Sequence, residues 1–351
     1  MSSTQPANPV PRVRPTMNDV AALAGVSLKT VSRVVNGVAS VDPELAGKVH
    51  AAAAKLGYRP NLTASNLRRS DRRTSTIGML IEDAANPFSA ALMRAVEDVA
   101  HEREVRVLFA SLDEDPARER DLARELIDRR VDGLVIVPAG NDHSYLSDER
   151  KAGTCLVFLD REPKLLNADA VVSDNQRGSV KAVSHLLRQG HRRIGFLGDR
   201  PTISTAAQRL AGYRHALEVA HIEVDEQLVR AGLSSVEAAV AAAHELLALP
   251  DPPTALYTSQ NLATIGAARA LRSVGLQDVV AMVGFDDFPL ADLLRPGISV
   301  VTQDGEGMGR LAAEILFRRL DGDESPASTF TLPTGLVVRG SGEIRAPGWD
   351  A

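Results

Sequence analysis

Cysteine and aromatic residues are scarce in this chain, with one cysteine among 351 residues and 4% Phe, Trp and Tyr together. A lone Cys155 excludes an intramolecular disulfide framework. Its place in the apolar run Thr154 to Leu159 predicts a buried core thiol rather than a reactive one. So few rings leave no stacking platform for single-stranded nucleic acid. The phosphate, zinc and nucleophile signatures G-x-x-x-x-G-K-[ST], H-E-x-x-H, G-x-S-x-G and paired Cys-x-x-Cys are all missing. The eight histidines are scattered, and His191 and His244 read as surface or capping residues. Neither catalysis, a metal nor a cofactor is expected. No run approaches the roughly 18 apolar residues needed to span a bilayer. Residues 1–15 are polar and proline-rich without an apolar signal core, and read as a disordered arm. The expected location is therefore the cytoplasm, with no membrane partner.

What is present is the composition of a globular protein, 44% hydrophobic and 24% charged, long enough for two or three folded units. The charge is unevenly placed. Residues 1–75 hold 11 Lys/Arg against 4 Asp/Glu, whereas the remainder holds 29 against 41. A basic head on an acidic body is the footprint of a small nucleic-acid-binding module joined to something else.

Three short helices are readable in that head. The run Asn18 to Gly25 places Val20, Leu23 and Ala24 on one face and stops at a glycine suited to a helix C′ position. Ser27 can cap the next helix, whose inner face is Val31, Val34 and Val35. Asp42 and Pro43 form an N-cap and N1 pair, opening a helix with Leu45, Val49, Ala52 and Leu56 inward and Gly57 at its end. Two helices joined by a Gly-Val-Ser turn, with a third across them, make a helix-turn-helix. The second helix would enter the major groove of double-stranded DNA. Its outer face offers Leu28, Lys29, Ser32 and Arg33, with Arg33 suited to a guanine edge and Leu28 to a thymine methyl. Thr16, Asn18, Ser27, Thr30 and Asn36 are short polar groups of the kind that bond phosphates.

The stretch DVAALAGVSLKTVSRVVNG, followed by KLGYRPN, resembles the head of the lactose/galactose-repressor (LacI/GalR) family of transcriptional regulators. The resemblance implies that residues 61–75 form a hinge helix and linker after a 16–60 DNA-binding domain. It places Leu67 on a leucine wedged into the minor groove, with Ala64 on the small residue one turn before it. Ser65 departs from the basic residue that many relatives carry there.

From Thr76 onward apolar strand-like runs alternate with periodic helices. The runs are 76–81, 105–110, 133–137, 155–159, 170–173, 193–198, 255–259 and 279–285. This alternation predicts an α/β body of parallel doubly wound sheets, and the strand count predicts two lobes. The family's segments resemble those at Asn86–Phe88, Asp160–Arg161, Ser173–Asn175, 190–198, 209–213 and 283–287. The resemblance covers about residues 16–342 and implies a periplasmic-binding-protein-like body over 76–345. Lobe one would be about 76–172 and 303–325, lobe two about 173–302 and 326–345, with a tail at 346–351. A homodimer on a palindromic operator is the expected assembly, since the tail lacks leucine heptads.

The resemblance also implies an effector pocket between the lobes, containing Phe88 as a flanking ring and Asp160 and Asp286 as acceptors. Three further positions depart from the pattern. Ala207 stands where an arginine is common, leaving Arg209 as a structural residue, Ser234 where an aromatic is common, and Gln260 with Asn261 in place of an Asn-Asp pair. Either the small-molecule effector is chemically different from a hexose, or ligand control has been lost or passed to a protein partner. The competing readings are a periplasmic-type sugar-binding protein, which would need a signal peptide and no helix-turn-helix, and an enzyme on the same scaffold, which would need a catalytic constellation.

Overall fold

The computed structural model describes residues 15–35, 40–59 and 73–349, and the chain divides into two compact units, 1–74 and 75–351. In the first unit, helices α1 (Met17–Ala24), α2 (Leu28–Val35) and α3 (Pro43–Leu56) are cut to length by their caps. Thr16 and Asp19 form a reciprocal capping box, the Asp19 carboxylate accepting from the Thr16 amide at 2.7 Å. Gly25 closes α1 at φ +67°, a left-handed turn that costs glycine nothing. Ser27 Oγ accepts from Thr30 N at the start of α2, and Asp42 accepts from Glu44 N and Leu45 N before Pro43. Val20, Val31, Val34, Val49 and Ala52 form the small core. Leu23 and Leu45, expected inward, are 44% and 37% exposed. Leu23 lies about 60° round the helix from Val20, beyond the edge of a core only five residues wide.

The second unit holds two six-stranded sheets. The first runs in the order β11-β5-β4-β3-β1-β2. Its strands are β1 (Thr76–Ile81), β2 (Arg106–Ser111), β3 (Gly133–Ile136), β4 (Cys155–Leu159), β5 (Asp169–Ser173) and β11 (Thr329–Leu332). The second runs β12-β10-β9-β8-β6-β7. It comprises β6 (Ile194–Leu197), β7 (Val229–Arg230), β8 (Ala255–Thr258), β9 (Ala281–Phe285), β10 (Ser299–Thr302) and β12 (Gly335–Val337). All pairings are parallel except β10 with β12. Successive side chains of β1 go to opposite faces: Ile77, Met79 and Ile81 enter one core and Leu80 the other. The first core is covered by α4 (Pro87–Glu102) and α11 (Gly305–Leu320), the second by α5 (Pro116–Asp128). A short α6 (Ser147–Lys151) precedes β4. In lobe two, α7 (Asn175–Arg188) and α8 (Ser204–Val219) cover one face, and α9 (Val236–Leu247) and α10 (Asn261–Ser273) the other. Gly212 lets α7 and α8 touch, because a Cβ there would lie 2.4 Å from the Gln176 carbonyl oxygen.

The chain crosses between lobes after β5, after β10 and after β11. The last crossing corrects the sequence-based boundary at 325, since β11 pairs in parallel with β5 of lobe one. Phe330 and Leu332 pack on the lobe-one core, and Arg319 ties the preceding loop to Asp169 through bonds of 2.8 and 3.0 Å. Cys155 is half-buried against that core rather than enclosed. His191 is fully buried, not superficial, its ring set between Thr254 Oγ1 and the Ile344 carbonyl. Among the described residues no helix is long and apolar enough to cross a membrane.

Candidate functional site

In parallel sheets, loops at the carboxyl ends of strands bring side chains from distant sequence to one place. Here the ends of β1, β4, β6, β8 and β9 converge on a cleft between the lobes, the place where small-molecule sites form in such folds. Glu82, Asn86, Phe88, Asp160 and Arg161 line it from lobe one. Asp199, Ile203, Thr205, Ala206, Arg209, Ser259, Gln260, Asn261 and Asp286 line it from lobe two.

The two lobes repeat one device. Asp160 follows β4 and Asp286 follows β9, and both adopt left-handed backbone, φ +67° and +69°. Each amide donates to the neighbouring strand, Asp160 N to Val171 O and Asp286 N to Val301 O at 2.8 and 2.9 Å. Aspartate tolerates this region better than most residues, and strain held at a strand end turns the carboxylate into the cleft.

Two guanidiniums organise these acids. Arg161 bonds both oxygens of Glu114 and the Pro138 carbonyl, with its Nε 3.5 Å from Asp160 Oδ2. Burial works against its charge, and the bonds and charge of Glu114 more than offset that. Arg209 donates to Asn175 Oδ1, Ser259 O and Asp286 Oδ2 at 2.8, 2.8 and 3.3 Å, with its plane 3.8 Å from the Phe285 ring centre. Gln303, on the second crossing, donates to Asp286 Oδ1 at 2.6 Å. Asn261 of lobe two donates to Asn86 of lobe one at 2.9 Å, a direct bond between lobes. Burial raises the carboxyls of Asp160 and Asp199 and lifts Glu82 to about 7, although Arg161 pulls Glu82 down.

Several buried atoms here have no hydrogen-bond partner within the protein: Asp160 Oδ1, Ser259 Oγ, Asn261 Oδ1 and Gln303 Oε1. Burying such a group unpaired costs about 1–3 kcal/mol. Arg161 Nε, a donor, has no hydrogen-bond partner beside them, so the cleft offers three acceptors, a hydroxyl and one donor, a set that favours a molecule with more donors than acceptors.

Of the predicted pocket residues, Phe88, Asp160, Gln260 and Asp286 lie at the cleft. Ala207 and Ser234 do not. On α8 the cleft face is Thr205, Ala206 and Arg209, spaced three and four apart, and Ala207 is about 100° further round. Arg209 therefore faces the cleft, against the expectation of a purely structural role. Ser234 is exposed because Leu233 before it enters the lobe-two core and Ser235 after it caps α9. Gln260 reaches this loop through the Leu233 carbonyl, at 2.8 Å. Sequence reasoning missed Glu82 and Asp199, each following a buried strand, a position that the strand-end rule does single out.

In the head, Leu28 is 48% exposed, Lys29 and Arg33 are exposed, and Ser32 is half-buried. Arg33 Nη2 donates to Ser40 Oγ at 2.6 Å. Thr16 and Ser27 serve as helix caps, Ser27 also touching Thr30 Oγ1, and Asn18 is exposed. Asn36, Ala64 and Leu67 lie outside the described residues.

Residues 16–61 match the model described as bacterial regulatory proteins of the lacI family, and residues 183–342 match the periplasmic binding protein-like domain. The regulator CelR of Thermobifida fusca is 34% identical, over 94% of this chain and 99% of its own length. The ribose operon repressor of Haemophilus influenzae is 32% identical, over 93% and 98%. The chain belongs to the LacI family. A solved complex of CelR with cellobiose is 33% identical with a TM-score of 0.69, over 93% of this chain and 100% of that one. The lac repressor dimer bound to operator and an anti-inducer is 26% identical with a TM-score of 0.79, over 94% and 99%. As a LacI-family member the chain is a DNA-binding transcriptional regulator with a helix-turn-helix head and a periplasmic-binding-protein-like body. The relatives are named as regulators of transcription, not as periplasmic binding proteins or enzymes.

Proposed function

We propose that this LacI-family regulator represses transcription by binding a palindromic operator as a homodimer, and that a small molecule between its lobes sets its operator affinity. The observation that carries the reading is the cleft, where buried unpaired acceptors from both lobes meet around the Asn261–Asn86 bond. A donor-rich ligand would bond Asp160 and Asn261 together, lock the lobes closed, and so bias the two ends of the body. Phe88 supplies an apolar wall, and Arg209, Asp286 and Gln303 hold one another in place beneath the ligand. The solved relatives support this class, since one carries cellobiose and another ribose. In the head, Lys29 would contact phosphate, Arg33 and Leu28 would read base edges, and Ala64 and Leu67 would act at the operator's centre.

Selection of bound duplexes from a random library tests the DNA half. Enrichment of a twofold-symmetric site, with affinity falling steeply as salt rises, is expected. Enrichment of an asymmetric site, or none, would count against the dimeric operator reading. Cytoplasmic location follows from the same reading and is checked by fractionating cells.

A further inference from the structure

We infer that the ligand of this cleft is an amine-bearing polyol, a molecule carrying positive charge beside its hydroxyl groups. This rests on the cleft being the effector site. Four carboxylates line it, from Glu82, Asp160, Asp199 and Asp286, and a fifth, Glu114, is bonded to Arg161. Among the described residues two cations line it, and both are paired, Arg161 with Glu114, though its Nε keeps no hydrogen-bond partner, and Arg209 with Asp286. Arg200 stays largely exposed, 3.8 Å from Asp199. Arg161 acts on the Glu82 carboxylate through charge alone, and Asp160, 7% exposed, keeps Oδ1 without a partner.

The acids held by neither cleft arginine come from both sides, Glu82 after β1 in lobe one and Asp199 after β6 in lobe two, the latter sharing its charge with half-exposed Arg200. Closing the lobes on a neutral sugar would bring these like charges together in a medium of falling dielectric. An anion would add to the repulsion. A bare metal ion fits poorly, since among the described residues no group of three or more His, Cys, Asp or Glu is placed to hold one. An ammonium is long-range in its attraction and donates three hydrogen bonds, while adjoining hydroxyls can satisfy Ser259 Oγ and Asn261 Oδ1, both in residues 2% exposed.

The test is calorimetric titration of the full-length protein with matched pairs, glucosamine against glucose, galactosamine against galactose and mannosamine against mannose. Operator affinity is followed in parallel. The amine member should bind at least about tenfold more tightly in a pair, and Glu82→Gln should shrink that preference severalfold. Asp199→Asn, on the other lobe, carries the same test should Glu82→Gln fold poorly. Equal or tighter binding of the hydroxy member, no binding by any member, or a preference untouched in both variants would overturn the assignment of charge. A neutral sugar that binds and shifts operator affinity overturns the charge but leaves the effector reading standing. An amine that binds without moving operator affinity does the reverse.

Discussion

Replacing Glu82 by glutamine should make the protein more stable above neutral pH and leave it unchanged in acid. Burial raises the Glu82 carboxyl from an ordinary value of 4.5 to about 7, with Glu114, Asp160 and Asp199 adding to the rise and Arg161 opposing it. The sign follows from which state holds the proton. Below pH 4.5 both the folded and unfolded chains are protonated at this site, so ionisation costs the fold nothing. Between 4.5 and 7 the unfolded chain releases its proton and the folded chain keeps it, so stability falls as pH rises. Above 7 the loss is complete. The rise corresponds to about 3 kcal/mol at roughly 1.4 kcal/mol per pH unit. Part of the side chain is open to the cleft, which reduces this to about 2–3 kcal/mol. Asp160 and Asp199 bend the wild-type curve in the same direction, so the quantity to measure is the difference between wild type and Glu82→Gln. Heat unfolding of the full-length proteins from pH 4 to 8.5 should show that difference opening from near zero to about 4–10 °C in the body's transition. A variant no more stable than wild type at pH 8, or a difference flat across the range, would refute the account of an uncompensated cleft carboxylate.

Arg209→Met should destabilise the body by about 3–5 kcal/mol in urea unfolding, because it leaves buried Asp286 with Gln303 as its remaining partner. Loss of no more than a surface substitution would remove Arg209 from its organising role. Lys29→Ala should weaken operator binding evenly across sequences and lower the salt slope by about 1, read by fluorescence anisotropy. Arg33→Ala should instead cost about 1–3 kcal/mol and relax selection at one base position. Gly212→Ala should lower stability by about 1–3 kcal/mol or more, since the added methyl meets the Gln176 carbonyl at 2.4 Å and pushes α8 off α7. An unchanged melting temperature would falsify that packing argument.

Much of this fold was legible because its signals are local. Asp42–Pro43, Gly25 and Gly57 mark helix ends by their own chemistry, and runs such as 77–81 and 155–159 are apolar throughout because parallel strands are covered on both faces. Four strands escaped notice: β10, which is buried but only four residues long and half Ser and Thr, and three edge strands where burial is incomplete. β7 has two residues, β11 reads Thr-Phe-Thr-Leu with alternating exposure, and β12 is three residues at a sheet edge. Missing β11 also misplaced the last crossing. At the site, Asp160 and Asp286 were found through resemblance, and the structure supplies the physical reason: matched left-handed positions after matched strands. Ala207 failed because a helix face turns about 100° per residue, so an offset of one replaces a cleft residue by its neighbour. Glu82 and Asp199 carried no motif. They matter through proximity across the lobe boundary, which is set by topology.

That boundary also determines how a ligand could switch the protein. A molecule bonded to one lobe alone has equal affinity for open and closed forms and shifts nothing. Of the unpaired atoms, Asp160 Oδ1 belongs to lobe one, Asn261 Oδ1 and Ser259 Oγ to lobe two, and Gln303 Oε1 to a crossing. A bond to charged Asp160 is worth about 1.5–3 kcal/mol and one to Asn261 about 1. The smaller of the two bonds gained only on closure sets the leverage, because a ligand can always keep the stronger one in the open form. Coupling of about 1 kcal/mol follows from Asn261 alone, at the low end of ordinary allosteric coupling. A charge attracted from both sides, by Glu82 and by Asp199, raises that floor, since its second partner too is reached only when the lobes meet. The acids that weaken the unliganded fold are thus the groups that give a cationic ligand the most to gain from closure.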